Sequence, residues 1–257
     1  MRGMLAGHLD VAQIVLYAFW IFFACLIFYL RREDRREGYP LESEAAGRQK
    51  DRGFLLIPSP KAFQLHGGKK VQAPRFDVDA RALKGEKIAP WPGAPIEPTG
   101  DPMQAEIGPG AYALRADVTD KTHDGRDLIV PLRVAANFSV ASDDEDPRGL
   151  PVIGADSDTA GVIVDVWVDR GEAMARYYEV ETNTPSGSRR VLLPVTFSNV
   201  DAERGEVKVD ALLARQFANV PATRDPYKIT LLEEEKITAY YGAGTLYATA
   251  ARAEPLL

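Results

Sequence analysis

The chain has very few of the residues that build disulfides and metal centres. Its 257 residues include one cysteine, Cys25, and three histidines, His8, His66 and His123, which lie far apart in the sequence. A single cysteine excludes a disulfide framework or a cysteine-based metal site within one chain. Because the histidines are dispersed as well, no metal site is assigned to this sequence.

The common motifs of enzymes are also missing. The sequence has no G-x-S-x-G nucleophile elbow, no P-loop and no G-x-G-x-x-G that follows a strand. Its G-x-G, in YYGAGTLY, follows a helical pattern, and we interpret it as the end of a helix at Gly242. The net charge of −6 and the lack of a basic stripe argue against a nucleic-acid partner. The sequence therefore predicts a protein that is not an enzyme and does not bind nucleic acid.

The chain does have one long apolar run near its N-terminus. In residues 11–30, which read VAQIVLYAFWIFFACLIFYL, nineteen of twenty positions are apolar. A helix of this length covers about 30 Å, the thickness of the hydrocarbon core of a bilayer. A cleaved signal peptide is the alternative, but this run is too long and no small-residue cleavage site follows it. We therefore predict a membrane-spanning helix over residues 11–31.

The charges on either side of this run predict its orientation. Only Arg2 precedes the run, and four arginines follow it directly: Arg31, Arg32, Arg35 and Arg36. Since an excess of Lys and Arg marks the cytoplasmic side, residues 1–10 are expected outside and the remainder in the cytoplasm. The four arginines are also candidates for contact with anionic lipid head groups at the membrane interface.

The next segment, residues 32–127, is rich in proline and glycine. Nine of the eighteen prolines lie between Phe54 and Pro109. Proline lacks an N–H donor and fixes φ, so long helices and central strands are disfavoured here. The apolar residues scattered through the segment are not typical of a disordered linker. We interpret it as an extended arm that is ordered against its own domain or against a partner.

Residues 128–257 show the pattern of a β-rich domain. Residues 161–169, GVIVDVWVD, alternate strictly, which predicts a strand with one buried face. DLIVPLRV, NFSVA, ARYYEVE, RRVLLPVTF and EVKVDAL are further predicted strands, and NTPSGS and SNVDAERG are predicted turns. Short strands joined by tight turns indicate a small antiparallel barrel or a strongly bent sheet.

Two short helices are predicted near the C-terminus. The first covers residues 210–218, with Asp210 as its N-cap. The second covers residues 230–241 and begins with a capping box formed by Thr230 and Glu233. The fold prediction is thus one N-terminal transmembrane helix and a mainly β domain that ends in short helices.

Carboxylates are the one type of chemically active side chain that clusters in the sequence. Five of them lie on or between two adjacent predicted strands: Asp165, Asp169, Glu172, Glu179 and Glu181. We expect most of them to be solvated charges on the outer face of the sheet. Paired carboxylates could instead relay protons if burial or mutual repulsion raised the pKa of one of them.

Nine segments, in order along nearly the whole chain, resemble the H subunit of the purple bacterial photosynthetic reaction centre. The resemblance implies a PRC-barrel domain. The segments are YLRREDRREGYPLE, PSPKAFQLHGG, EPTGDPM, GPGAYALRA, IVPLRVAANFSVA, DPRGLPV, GVIVDVWVDRGEAMARYYEVE, LLARQFANVP and ITLLEEEKITAYYGAGTLYAT.

The resemblance also implies partners, a location and a role. The helix would pack beside the L and M subunits in the intracytoplasmic (chromatophore) membrane, with a periplasmic N-terminus, and the cytoplasmic part would cap L and M. Bacteriochlorophylls, bacteriopheophytins, quinones and the non-haem iron belong to L and M, so this chain would bind none of them. It would stabilise the complex and help deliver protons to the secondary quinone. A light-harvesting antenna and a cytochrome subunit are further candidate partners.

The same resemblance gives roles to two residues and points to one loop as the place of proton uptake. Asp169 and Glu172 match two family acids on the route that carries protons to the quinone. His123 and Asp124, in the loop DKTHDGRDL, are surface protonatable groups where protons would be taken up. This loop lacks the histidine pair of some family members, so the uptake point stays open and His123 is assigned no metal. The alternative to this function is a membrane-anchored PRC-barrel adaptor for another cytoplasmic partner.

Overall fold

The computed structural model describes residues 4–6, 9–43, 47–48, 57–65, 68–75, 79–184 and 187–253. The chain divides into two compact units, Met1–Ala80 with Pro90–Ala94, and Arg81–Ala89 with Pro95–Leu257. Parts of the predicted arm lie outside the described residues, as do His8 and His66.

The first unit is built around one long helix. Strands β1 (Met4–Ala6) and β2 (Leu9–Asp10) pair antiparallel and lead into helix α1 (Val11–Glu33). The Asp10 side chain caps the helix by accepting a hydrogen bond from the N–H of Ala12 (3.2 Å). No residue of α1 is buried, although the helix is strongly apolar. Within the described part of the chain it is the one helix long and apolar enough to cross a membrane.

Short antiparallel hairpins follow α1 in the first unit. They are formed by β3 (Glu42–Ser43) with β4 (Gly47–Arg48), and by β5 (Lys61–Gln64) with β6 (Lys70–Ala73). Arg36 ties the end of the helix to the second hairpin, because its guanidinium donates to the carbonyl oxygens of Ser59 (2.9 Å) and Ala73 (2.8 Å).

The second unit begins with a small hairpin, β7 (Gly85–Lys87) and β8 (Ile96–Pro98), and contains one large sheet. The strand order of the large sheet is β13-β12-β11-β10-β15-β14, with β9 paired to β11. Its strands are β9 (Ile129–Pro131), β10 (Pro151–Gly154), β11 (Thr159–Asp169), β12 (Met174–Thr184), β13 (Gly187–Pro194), β14 (Asn199–Asp201) and β15 (Glu206–Val209).

This sheet confirms the prediction of a mainly β domain and adds two details. Every strand pair is antiparallel except β10 with β15, which is parallel. Among the described residues no ladder joins β13 to β14, so the sheet is not closed. The predicted strand NFSVA is wrong, since residues 137–141 are irregular, and DLIVPLRV contributes only β9 before a 3₁₀ turn at Leu132–Val134.

Helix α2 (Leu231–Tyr247) packs on the sheet and completes the core. The predicted capping box is present, because Thr230 Oγ1 accepts from the N–H of Glu233 (3.2 Å) and Glu233 Oε2 accepts from the N–H of Thr230 (2.9 Å). Ile237 and Tyr241 on this helix are fully buried with Trp167 and Phe217.

The predicted end of this helix at Gly242 is wrong. The helix continues to Tyr247, and its two glycines serve close packing. A Cβ at Gly242 would lie 2.4 Å from the carbonyl oxygen of Pro109, and one at Gly244 would lie 2.3 Å from that of Ala211. Only glycine permits such close backbone contact, so G-x-G marks a packing surface here.

The other predicted helix, residues 210–218, is also wrong in its type and its start. A 3₁₀ helix covers only Ala214–Asn219, and Asp210 is not its cap. The backbone before this 3₁₀ helix pairs with another segment, because the Leu212 carbonyl accepts a hydrogen bond from the N–H of Ala155 (2.9 Å). Residues paired in this way cannot also form the first turn of a helix.

Candidate functional site

The five carboxylates of the β11–β12 region lie in two very different environments. Asp165, Asp169 and Glu179 are buried, at 4%, 3% and 3% exposure, whereas Glu172 and Glu181 are exposed. The expectation that most of them are solvated is therefore wrong. Strand β11 is covered on both faces from Asp165 onwards, and irregularities in its register with β12 break the strict alternation.

Asp165 and Glu179 form what we call the inner pair. They are direct cross-strand neighbours, and Arg133 Nη1 donates to both carboxylates, at 2.8 Å from Asp165 Oδ2. Glu179 also accepts from Trp167 Nε1 (2.9 Å) and from Arg190 Nη1 (3.3 Å). Burial opposes the charge of Arg133, but hydrogen bonds to the two carboxylates outweigh it and raise the pKa of the guanidinium. Both carboxylates of the inner pair therefore accept hydrogen bonds from side chains that are held in place.

Asp169, Glu172 and Arg176 form what we call the outer cluster, at the end of the same hairpin. Asp169 Oδ1 accepts from the backbone N–H groups of Gly171 (2.8 Å) and Glu172 (3.1 Å), which fixes the turn after β11. Arg176 lies 3.9 Å from Asp169 Oδ2 through Nε and 3.9 Å from Glu172 Oε2 through Nη1. The structure thus brings the two predicted acids together around one arginine, with one acid buried and the other in water.

The other two predicted residues, His123 and Asp124, lie in an exposed loop. A hydrogen bond from Thr122 Oγ1 (2.6 Å) and the Arg126 guanidinium (2.7 Å) hold the pKa of Asp124 below its usual range. No described hydrogen bond or ion pair joins His123 or Asp124 to Asp169.

The loop nevertheless ends beside the outer cluster. Its last residue, Leu128, accepts a hydrogen bond from the N–H of Arg170 (3.0 Å) through its carbonyl oxygen, and Ile129 pairs with Asp169 across the β9–β11 ladder. Protonatable surface groups and the buried acid therefore share one end of the sheet.

One acid beside this site was missed by the sequence reasoning, which treated residues 233–235 as charge at a helix N-terminus. Glu234 Oε2 accepts a hydrogen bond from Tyr177 Oη (2.9 Å), between residues 57 positions apart. Burial raises the pKa of the Glu234 carboxyl, against the opposing effects of Tyr177 and the Arg176 charge. No local sequence signal could have shown this contact, because it depends on how α2 packs against β12.

The predicted lipid-facing arginines divide into two kinds. Arg31 and Arg32 are exposed, and Arg31 lies 3.3 Å from Asp34. Arg35 lies over the ring of Tyr39, and Arg36 is largely enclosed by its contacts with Glu33 and the β5–β6 hairpin. For metals, no group of three or more His, Cys, Asp or Glu among the described residues is placed to hold an ion.

Two family models match the chain, one over its N-terminal half and one over the β domain. Residues 3–134 match the family model of the photosynthetic reaction centre, H-chain N-terminal region, and residues 139–216 match the PRC-barrel domain. The first match covers just over half of the chain and includes both α1 and the proline-rich arm, which favours a reaction-centre subunit over a generic adaptor.

Members of the H-chain family are structural subunits of the photosynthetic reaction centre. They associate with the L and M subunits of a complex that carries pigments and quinones. With the apolar helix α1, this is a single-pass membrane protein. The chain belongs to the family of photosynthetic reaction-centre H chains.

Proposed function

We propose that this subunit caps the cytoplasmic face of L and M, stabilises the complex, and helps deliver protons to the secondary quinone. In this proposal residues 1–10 are periplasmic, residues 11–31 span the membrane, residues 32–127 pack on the partner subunits, and residues 128–257 form the cytoplasmic domain. Arg31 and Arg32, which are exposed, would then face lipid head groups.

The outer cluster is the observation that carries the proton role. A proton relay needs neighbouring groups that can each hold and release a proton, with at least one in contact with water. Glu172, whose side chain is 63% exposed, meets the solvent, and Asp169 lies behind it with its side chain 4% exposed. Arg176 lies 3.9 Å from a carboxylate oxygen of each acid, so the two groups share one cation.

The chemistry asked of this chain is proton transfer alone. The quinone held by the partner subunits takes up protons as it is reduced to quinol. His123 and Asp124 would collect protons at the surface, and Glu172 and Asp169 would pass them inward, each transfer being bridged by water. Each residue ends a cycle in the protonation state in which it began.

The test is the variant Asp169→Asn with Glu172→Gln in the assembled reaction centre. Both substitutions keep the size of the side chain and remove its ability to carry a proton. We expect the second, proton-coupled electron transfer to the secondary quinone to slow by at least about tenfold, which is about 1.4 kcal/mol in the barrier. Primary charge separation should be unchanged, because the pigments are held by the other chains.

A matched control is Glu181→Gln, which removes an exposed carboxylate from the same strand as Arg176. It should leave both steps unchanged. Flash spectroscopy that finds normal quinol formation in the double variant would overturn the proton role while leaving the structural role intact.

A further inference from the structure

Next to the outer cluster lies a cavity of about 320 Å³ that the proposed route does not use. It is lined by residues of β12, of α2 and of the segment before β9, including Arg115, Arg176, Tyr177, Glu234 and Glu235. Arg176 thus contacts Asp169 and Glu172 and also lines this cavity. A cavity of this size with several polar groups has room for water.

We propose that Glu234 is a third proton-holding carboxyl of this site, reached through the cavity, and that Tyr177 is its positioning residue. This inference rests on the proposed function and extends it to helix α2. The carboxyl of Glu234 gives its proton to water in the cavity, and that proton passes to Asp169 or Glu172 beside Arg176. The Glu234 carboxylate that remains is held by the Tyr177 hydroxyl and the Arg176 charge, and a later proton from solvent restores the acid.

The surroundings of Glu234 suit a group that exchanges protons. Tyr177 and Arg176 face it from β12, Arg115 and Asp120 from the segment before β9, and Glu235 lies beside it on its own helix. Arg115 is itself engaged by Glu235, at 3.6 Å. Glu234 therefore keeps no close ion pair of its own among the described residues, unlike the inner pair, and its hydrogen bond there comes from a neutral phenol.

Tyr177 is suited to hold this carboxyl in place. Burial, together with the charge of Glu234, raises the pKa of the phenol, so its hydroxyl stays protonated and acts as a donor. The ring is buried in the core, and this fixes the position of the hydroxyl.

The experiment is infrared difference spectroscopy of assembled reaction centres on reduction of the secondary quinone, in H₂O and in D₂O. A carboxyl that changes its protonation gives a C=O stretching band that shifts in D₂O. We expect Glu234→Gln to lose one such band and Glu235→Gln, the matched control, to keep it. Tyr177→Phe should keep the band and shift its frequency, because the carboxyl loses a hydrogen bond. A residue that merely supports the fold would give no such shift.

The outcomes separate this inference from the proposed function. A Glu234→Gln spectrum identical to that of the parent would overturn the role of Glu234, even where Asp169→Asn with Glu172→Gln slows quinol formation. A lost band in Glu234→Gln together with normal quinol formation in the Asp169 and Glu172 variant would instead support protonation of Glu234 and remove the route assigned to the outer cluster.

Discussion

The middle and the turn end of the β11–β12 hairpin use the same residue types for different purposes. In the middle the inner pair, Asp165 and Glu179, shares Arg133 and is enclosed by fixed donors. At the turn end Asp169 and Glu172 lie around Arg176 at 3.9 Å, and one of the two acids is in water. A carboxylate can therefore be a fixed structural charge or an exchangeable one, depending on how closely its cation is held.

The difference has a physical basis in solvation. Two carboxylates removed from water are tolerated only with close partners, because an unpaired buried charge costs several kcal/mol. Such pairing occupies the buried carboxylates with fixed donors. The longer contacts of the outer cluster stabilise it less.

The largest expected effect is the loss of Arg133. Arg133→Met would leave the inner pair buried without its shared cation, which costs about 3–5 kcal/mol. We expect the thermal unfolding midpoint of the full chain in detergent to fall accordingly, as followed by near-ultraviolet circular dichroism of the buried Trp167. Arg148→Met is the control, since Arg148 and its partner Asp146 are both nearly half exposed, and it should change stability by under about 0.5 kcal/mol. If Arg133→Met and Arg148→Met lowered the unfolding midpoint equally, the inner pair would be no more important for stability than an exposed ion pair.

The second prediction separates the inner pair from the outer cluster by their effect on the rate of proton-coupled electron transfer. Asp165→Asn with Glu179→Gln, in assembled reaction centres, should leave the proton-coupled electron transfer within about twofold of the parent, although it alters stability. Arg133 and Arg190 hold the inner pair in place, and we expect it to take no part in proton transfer. Flash spectroscopy on this variant, next to Asp169→Asn with Glu172→Gln, makes the comparison directly. Slowing of similar size in both would show that the hairpin conducts along its whole length.

The third prediction concerns pH. In the unfolded chain Glu234 titrates near about 4.3, and burial places its folded pKa higher. Between those two pKa values the folded state binds more protons at Glu234, so the contribution of this residue to stability falls as pH rises and levels off above the folded pKa. Gln does not titrate. The unfolding free energy of Glu234→Gln, measured by denaturant titration across this range, should therefore rise relative to the parent with increasing pH. A constant difference would mean that Glu234 is not perturbed by folding.

Sequence patterns predicted the secondary structure better where the signal was local. The span, the strands of the main hairpin and the Thr230–Glu233 capping box depend on neighbouring residues, and all three are present. Gly242 was misinterpreted because a glycine that ends a helix and one that admits a neighbouring backbone look alike in sequence. Only the approach of Pro109 distinguishes them.

The carboxylates show the same limit more sharply. Alternation in β11 correctly predicted a strand, but burial on both faces comes from β9 and other elements distant in sequence. Sequence alone therefore could not divide the acids into an inner pair and an outer cluster. The resemblance to the H chain drew attention to Asp169 and Glu172, and gave no indication of Arg133 or Glu234.

The smallest expected effect is the loss of Arg176, and it is the sharpest counterpart to the loss of Arg133. Arg176→Gln removes contacts of 3.9 Å made by a side chain that is 44% exposed. Contacts this long to a half-exposed arginine contribute little, and the buried Asp169 keeps two backbone hydrogen bonds, so stability should change by under about 0.5 kcal/mol in the same thermal measurement. The turn after β11 should survive, because Asp169 holds it through two backbone N–H groups that do not involve Arg176. A loss as large as that of Arg133→Met would mean that the outer cluster is a second structural pair, and Asp169 would then be unsuited to passing protons.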